Sequence, residues 1–419
     1  MTAEVMAGQT ADQPAIKTLT GSTTDAPGTI VDALKYAPSG GDICTSINAT
    51  WAHAMAAPVT SPTIDARGFI GAASCGQQPF PTGAKGRLLL GNVWISTAFS
   101  INVPAGVEVL GLGVSGANQD NQGSSSTPIN TVIAASTSGF VGAVLEMGIS
   151  NSGPQYGVKI KSLSVDCLGS PSCTGIENKL AGPGSTVEDV TISNAAVNGL
   201  RVTVGNPSSG PSATYSGPYR NITIQYFPGG CPSSSCNTST TNGVTVDCAT
   251  INSACPYVVE FDNITADATC PIPNCNPTPA AIGFNILGVP ALLVNSHMEN
   301  YQASNIEVGT SVWPTSGVKI ENVSFNSGGG VLIGGMSSNI TIVGLSTSTS
   351  ATLINNFYPT RGGTGQKIKG KFLAFYAHGS CQNISSCTNG SNYLYPLISS
   401  DGDKLTNNLQ WQLPSGFTY

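Results

Sequence analysis

The chain has 419 residues, a net charge of −6 and a sequence pI near 5.0. Only 9% of its residues are charged and Lys and Arg form no cluster, so nucleic acid and anionic membrane surfaces are poor partners. No stretch approaches the roughly 20 apolar residues of a membrane span; LLLGNVWI (88–95) is far too short.

Residues 1–40 are polar, without a clear period, and read as an extended lead-in. The opening MTAEVMAGQT has neither a basic nor an apolar leader region. The expectation, set by the cysteines below, is an exported chain whose leader has been removed. Residues 42–57 place Ile43, Ile47, Trp51 and Met55 four apart, which predicts a helix with Asp42 as N-cap. TIDARGFIG, RLLLGNVWI, SINVPAGVEVLGLG and AVLEMG follow as early strands.

From residue 157 to 357 two phrases alternate. One is a polar residue, then Asn or a stand-in, then apolar–Thr/Ser–apolar: KSLSV (161–165), EDVTI (188–192), RNITI (220–224), DNITA (262–266), ENVSF (321–325) and SNITI (338–342). The other is Gly–apolar–x–apolar: GLRV (199–202), GVTV (243–246), GFNI (283–286) and GVLI (330–333). Short strands recurring at this period predict a solenoid, in which each coil covers its neighbour's apolar face. The central residues Leu163, Val190, Ile222, Ile264, Val323 and Ile340 define the rungs, with an extra turn centred near Val294. The predicted fold is all-β: a right-handed parallel β-helix over 41–360, an N-terminal capping helix at 42–57 and an irregular C-terminal cap over 361–419. A helix before the first rung would cover an otherwise open end.

Ten of the twelve cysteines fall into close pairs: Cys167/Cys173, Cys231/Cys236, Cys248/Cys255, Cys270/Cys275 and Cys381/Cys387. Cys44 and Cys75 pair by elimination. The intervening loops are rich in Pro, Ser and Asn, so the pairs read as disulfides stapling projecting loops in an oxidising compartment. Metal ligation would call for closer spacing and more than three histidines.

DARGF (65–69), LLLGNVWI (88–95), INVPAGVEVLGLG (101–113) and the repeated NITI phrases together resemble the pectate-lyase-like superfamily of right-handed parallel β-helices over roughly residues 40–360. That resemblance implies a secreted protein acting on polysaccharide, as a lyase or a glycoside hydrolase, or a tailspike or surface protein. Lyases of this kind use an Asp cluster for calcium, and the polygalacturonase-like members carry a paired Asp-Asp. The chain has no Asp-Asp pair, and Ala377-His378-Gly379 only echoes a Gly-His-Gly. No residue is carried over, no cofactor is predicted, and calcium is left open. Asp65 and Arg67 are expected to hold the cap.

Equivalent positions of successive coils lie about 4.8 Å apart. Three residues beyond each rung centre the line reads Asp166, Ser193, Gln225, Asp267, His297 and Asn326, expected to face outward. Asp267, His297 and Glu299 are the candidate catalytic group, because a carboxylate beside a histidine gives an acid or base near neutral pH and glycosidases need two carboxylates. A second line, Glu177, Arg201, Thr245, Asn285 and Glu307, runs along the Gly-phrase strands. Arg201, Tyr226, Tyr301 and Trp313 are the candidate substrate contacts. Asn221, Asn263, Asn322 and Asn339, with Asp189, read as a turn ladder. These four Asn and Asn48, Asn237, Asn383 and Asn389 also lie in Asn-x-Ser/Thr sequons. The leading expectation is a secreted protein that cleaves or binds an extracellular polysaccharide. The alternative is a non-catalytic surface, matrix or filament protein that self-associates.

Overall fold

A computed structural model describes residues 30–37, 42–56, 60–113, 123–124, 127–136, 139–148, 155–179, 181–204, 216–225, 242–248, 255, 258–268, 281–301, 303–310, 313, 315–326, 331–333, 338–343, 346–347, 375–378 and 392–395. Apart from two short antiparallel pairs, the strands are joined rung to rung in parallel, which is the topology of a parallel β-helix.

Each full coil of the central region has one long strand and one shorter strand. The long ones are Lys159–Asp166, Thr186–Ser193, Tyr219–Gln225 and Val259–Asp267. The shorter ones, including Ser172–Asn178, Asn198–Val204, Asn242–Cys248 and Ile282–Leu287, form a separate parallel sheet. Every long strand is bent by one left-handed residue: Ser162, Asp189, Asn221 or Asn263, with φ of 53–56°. In the next two coils Asn295 and Asn322 hold the same conformation (φ 52° and 54°) between paired short strands. Asn tolerates this region better than other non-glycine residues. The bend divides each long strand into a first and a second arm, so the coil presents three outer faces.

The rung register follows the predicted centres from Leu163 through Val190 and Ile222 to Ile264. Two centres differ. The pairs Asp262↔Val294 and Thr265↔His297 set Ile264 opposite Ser296, so Val294 is not the centre of that turn. Ile340 lies opposite Val318 rather than one rung beyond Val323. The same register sets Asn339 opposite Gly317 and outside the turn ladder, whereas Asn295 belongs to it. Along the ladder, Asn221 Nδ2 donates to Asp189 Oδ1 at 2.8 Å and Asn263 Nδ2 to Asn221 Oδ1 at 2.8 Å. Asn322 Nδ2 reaches Asn295 Oδ1 at 3.4 Å.

The interior is a continuous stack of Val, Ile, Leu and Phe. Phe261 stacks on Tyr219 with centroids 5.2 Å apart and meets Phe284 edge-on at 4.8 Å. The Gly of the second phrase marks close approach: a Cβ on Gly199 would lie 2.5 Å from Ile224 Cγ2, and one on Gly243 2.5 Å from the Gly283 carbonyl oxygen. No side chain fits there.

The capping helix, α1, spans Ile43–Ala56, and Asp42 caps it through the Thr45 amide at 2.8 Å. Ile43, Ile47 and Trp51 are buried, but Met55 is 39% exposed, and Ala54 completes the inner face. The Cys44–Cys75 disulfide fastens the helix to the strand Gly71–Cys75. Within the expected lead-in, Ile30–Asp32 already forms a strand paired with Thr63–Asp65. Arg67 Nη2 lies 2.7 Å from Asp65 Oδ2. The Cys167–Cys173 and Cys248–Cys255 disulfides are present. Cys231, Cys236, Cys270, Cys275, Cys381, Cys387, Tyr226, Asn237, Asn383, Asn389, residues 1–29 and most of 361–419 lie outside the described residues. Among the described residues no helix is long and apolar enough to cross a membrane.

Candidate functional site

Two columns of side chains alternate with the core on the outer face of the second arms. The first runs Trp94, Val132, Ser164, Thr191, Thr223, Thr265, His297, Ser324. The second runs Ser96, Ala134, Asp166, Ser193, Gln225, then Asp267 and Glu299, with Asn326 at the next register position of the backbone. Asp267 therefore faces Glu299 across the rung, and His297 faces Thr265, correcting the expected Asp267–His297 pairing.

The columns are covered at one end and open at the other. Trp94, Val132, Ala134, Ser164, Asp166, Ser193 and Gln225 are buried, against the expectation that this line faces solvent. The loop closed by Cys167–Cys173 lays Leu168 against Trp94, Val132 and Ala134. Asp166 accepts from the Leu168 amide at 2.8 Å and from Asn194 Nδ2 at 3.0 Å. Burial pushes its carboxyl above the usual range, and the Asn194 and Leu168 hydrogen bonds pull against that. From Thr265 to Ser324 the outward residues are half-exposed.

Asp267, His297 and Glu299 meet in this open region. His297 Nε2 lies 3.3 Å from Glu299 Oε2, and Nδ1 lies 2.7 Å from Ser324 Oγ. Asn300 Nδ2 donates to Asp267 Oδ1 at 3.1 Å. Sequence reasoning missed Asn300 and Ser324. The Asn300 signal was available, since Ser193-Asn194 and Glu299-Asn300 repeat a polar–Asn phrase at the end of the second arm, and both Asn adopt positive φ.

The other predicted contacts go elsewhere. Arg201 lies on the shorter-strand sheet, in the expected register with Glu177 and Thr245. Its Nη2 is 2.8 Å from Asp247 Oδ2 and its Nη1 3.5 Å from Glu177 Oε1. Lys179 bridges Glu146 and Glu177 at 3.2 and 3.5 Å. Burial raises the Glu177 carboxyl, opposed by Lys179 and Arg201. Opposite charges thus compensate one another on this face. Tyr301 is wholly buried against Gly243 and Gly283 and cannot stack on a sugar. Trp313 packs partly buried against the core. Asn48 of the helix sequon donates its Nδ2 to the Gln78 carbonyl.

Among the described residues no three or more of His, Cys, Asp and Glu come together to hold a metal ion. The acids Glu146, Glu177 and Asp247 already hold Lys179 and Arg201.

No protein-family model and no curated protein matches the chain. Among solved structures, ORF18 of Geobacillus virus E2 is similar at 13% identity and a TM-score of 0.44, covering 85% of this chain and 62% of its own. The catalytic domain of a GH87 α-1,3-glucanase in complex with nigerose aligns at 12% identity and a TM-score of 0.44, covering 86% and 65%. A DFA-IIIase from Arthrobacter chlorophenolicus A6 aligns at 10% identity and 0.38, covering 87% and 91%. The chain thus spans less than two thirds of the length of the first two of these, which it matches along most of its own.

Proposed function

We propose that this protein is exported and acts on an extracellular polysaccharide at the open end of the second-arm face. The observation that carries this reading is the carboxylate pair Asp267 and Glu299 on adjacent rungs, with His297 against Glu299. The three disulfides among the described residues support an oxidising compartment. Neighbouring rungs lie about 4.8 Å apart, close to the roughly 5–5.5 Å that separates the carboxyl groups of retaining glycosidases.

The hydrogen-bond partners divide the roles. Asn300 Nδ2 donates to Asp267 Oδ1 and holds that carboxyl in place for attack on the anomeric carbon. In the tautomer that gives Nδ1–H to Ser324, His297 Nε2 is an acceptor facing Glu299 Oε2, the group assigned to deliver a proton. Glu299 passes that proton to the glycosidic oxygen as the bond from the anomeric carbon breaks. Water then displaces Asp267, returning a proton to Glu299. The net change is addition of one water across the glycosidic bond.

The test is incubation of the full chain with plant, algal and microbial polysaccharides, scoring new reducing ends and unsaturated products. Glu299→Gln and Asp267→Asn should each lower product formation by about 10²–10⁴-fold, and His297→Ala should lower it as well. If no substrate yields product above these variants, catalysis is overturned. The half-exposed hydroxyls Thr223 and Thr265 on adjacent rungs then favour a non-catalytic surface or matrix role.

A further inference from the structure

Two core residues turn three polar neighbours outward together. Met298 and Phe325 are buried, so His297, Glu299 and Ser324, which flank them in the strands His297–Glu299 and Ser324–Asn326, point to the outer face. The parallel register sets Ser324 opposite His297, and the Ser324 amide donates to the Ser296 carbonyl at 2.9 Å, which fixes that rung. His297 therefore stands between a hydroxyl and a carboxylate. Ser324 Oγ lies 2.7 Å from Nδ1, and Glu299 Oε2 lies 3.3 Å from Nε2. All three side chains are half-exposed. Thr265 shares the column on the other side of His297, but the ring nitrogens meet Ser324 and Glu299 instead.

We propose that Ser324, His297 and Glu299 form a nucleophilic triad that hydrolyses carboxylic esters, a second reaction at this patch. The substrate class is an ester on a sugar hydroxyl, the O-acyl substituent of a polysaccharide. That choice of substrate rests on the polysaccharide reading above, whereas the triad does not. A serine hydroxyl becomes a nucleophile when a base takes its proton and a third group orients the base. In the tautomer with hydrogen on Nε2, that hydrogen points to Glu299 and Nδ1 accepts from the Ser324 hydroxyl. Glycosidic cleavage uses the opposite tautomer, and Ser324 serves both because a hydroxyl donates or accepts. Ser324 Oγ attacks the ester carbonyl carbon as its proton moves to Nδ1. The bond from that carbon to the sugar oxygen breaks, the sugar oxygen takes the proton, and the acyl group stays on Ser324. Water, giving a proton to Nδ1, then attacks the acyl carbon. The carboxylic acid leaves and the proton returns to Ser324 Oγ. The net change is one water added across the ester bond. A serine stacked on the imidazole for the rung alone would keep the same contact and stay unreactive.

The experiment treats the full chain with a serine-reactive fluorophosphonate and maps the adduct by peptide mass. Parallel incubations with p-nitrophenyl acetate, acetylated xylan and acetylated mannan score acetate and new reducing ends separately. The expected result is an adduct on Ser324 and acetate release from the small ester and from a glycan. Ser324→Ala should abolish both, and His297→Ala should slow both by about 10²-fold or more. If a variant fails to fold, the adduct map of the parent chain decides. An unlabelled Ser324, or ester cleavage that a folded Ser324→Ala retains, overturns the triad and leaves the glycosidic reading to its own reducing-end assay. An adduct on Ser324 with acetate released from p-nitrophenyl acetate but from neither glycan overturns the glycan-ester substrate.

Discussion

The second-arm face builds the same device twice. Near its N-terminal end Asp166 accepts from Asn194 of the following rung, and further along Asp267 accepts from Asn300 of the following rung. The first pair is buried at the start of the loop closed by Cys167–Cys173. The second is half-exposed beside His297 and Glu299. The contrast separates what the Asp–Asn contact does for the fold from what it can do for chemistry. Where it is covered, the carboxylate serves the turn. Where it is open, the same acceptor is within reach of a ligand.

The contrast can be broken most sharply by removing each carboxylate. Asp166→Ala should cost roughly 2–5 kcal/mol, because it strands the Leu168 amide and Asn194 donors in a buried site. Asp267→Ala should change stability by less than about 1 kcal/mol, since water replaces the lost acceptor. Denaturant melts of the two variants check this, and equal losses would erase the distinction. A smaller effect is expected in the Asn ladder shared by both ends. Asn263→Ala should cost about 1–3 kcal/mol, from left-handed backbone strain and one lost ladder bond, and Asn263→Gly less.

The smallest expected effect sharpens the buried end. Because burial holds Asp166 above its unfolded value, the cost of charging it is present above its folded titration and absent below the unfolded carboxylate range. Asp166→Asn keeps the Oδ1 acceptor and removes the charge. Its gain in Tm over the parent should be largest near pH 8 and shrink as pH falls toward about 4. A gain independent of pH would show that ionisation of Asp166 is irrelevant.

Much of the architecture was legible because the phrases carry the physics directly. Asn marks the left-handed bend, the residues around it alternate between core and surface, and Gly199 and Gly243 mark tight inner contacts. Register was lost where a buried position is polar. Ser296 occupies the interior slot that Leu163, Val190, Ile222 and Ile264 fill elsewhere, with its Oγ accepting from the Ile264 amide and donating to the Val294 carbonyl. Hydrophobic patterning reads such a serine as outward, shifts the centre to Val294 and misaligns His297 by two residues. The patch itself survived the slip because Glu299 shares an outward face with His297. The closed end was not legible at all. Asp166 and Gln225 look like solvent-facing residues locally, yet both are buried.

The uneven spacing of the rungs has a consequence for how such a molecule changes over time. Successive centres from Leu163 to Val323 are 27, 32, 42, 32 and 27 residues apart, yet the paired positions stay aligned. Length differences fall in the segments between the paired strands, where lengthening carries only a small entropic cost. New segments can therefore be grafted beside Asp267 and Glu299 while the inner stack stays as it is, which lets ligand choice and scaffold diverge independently.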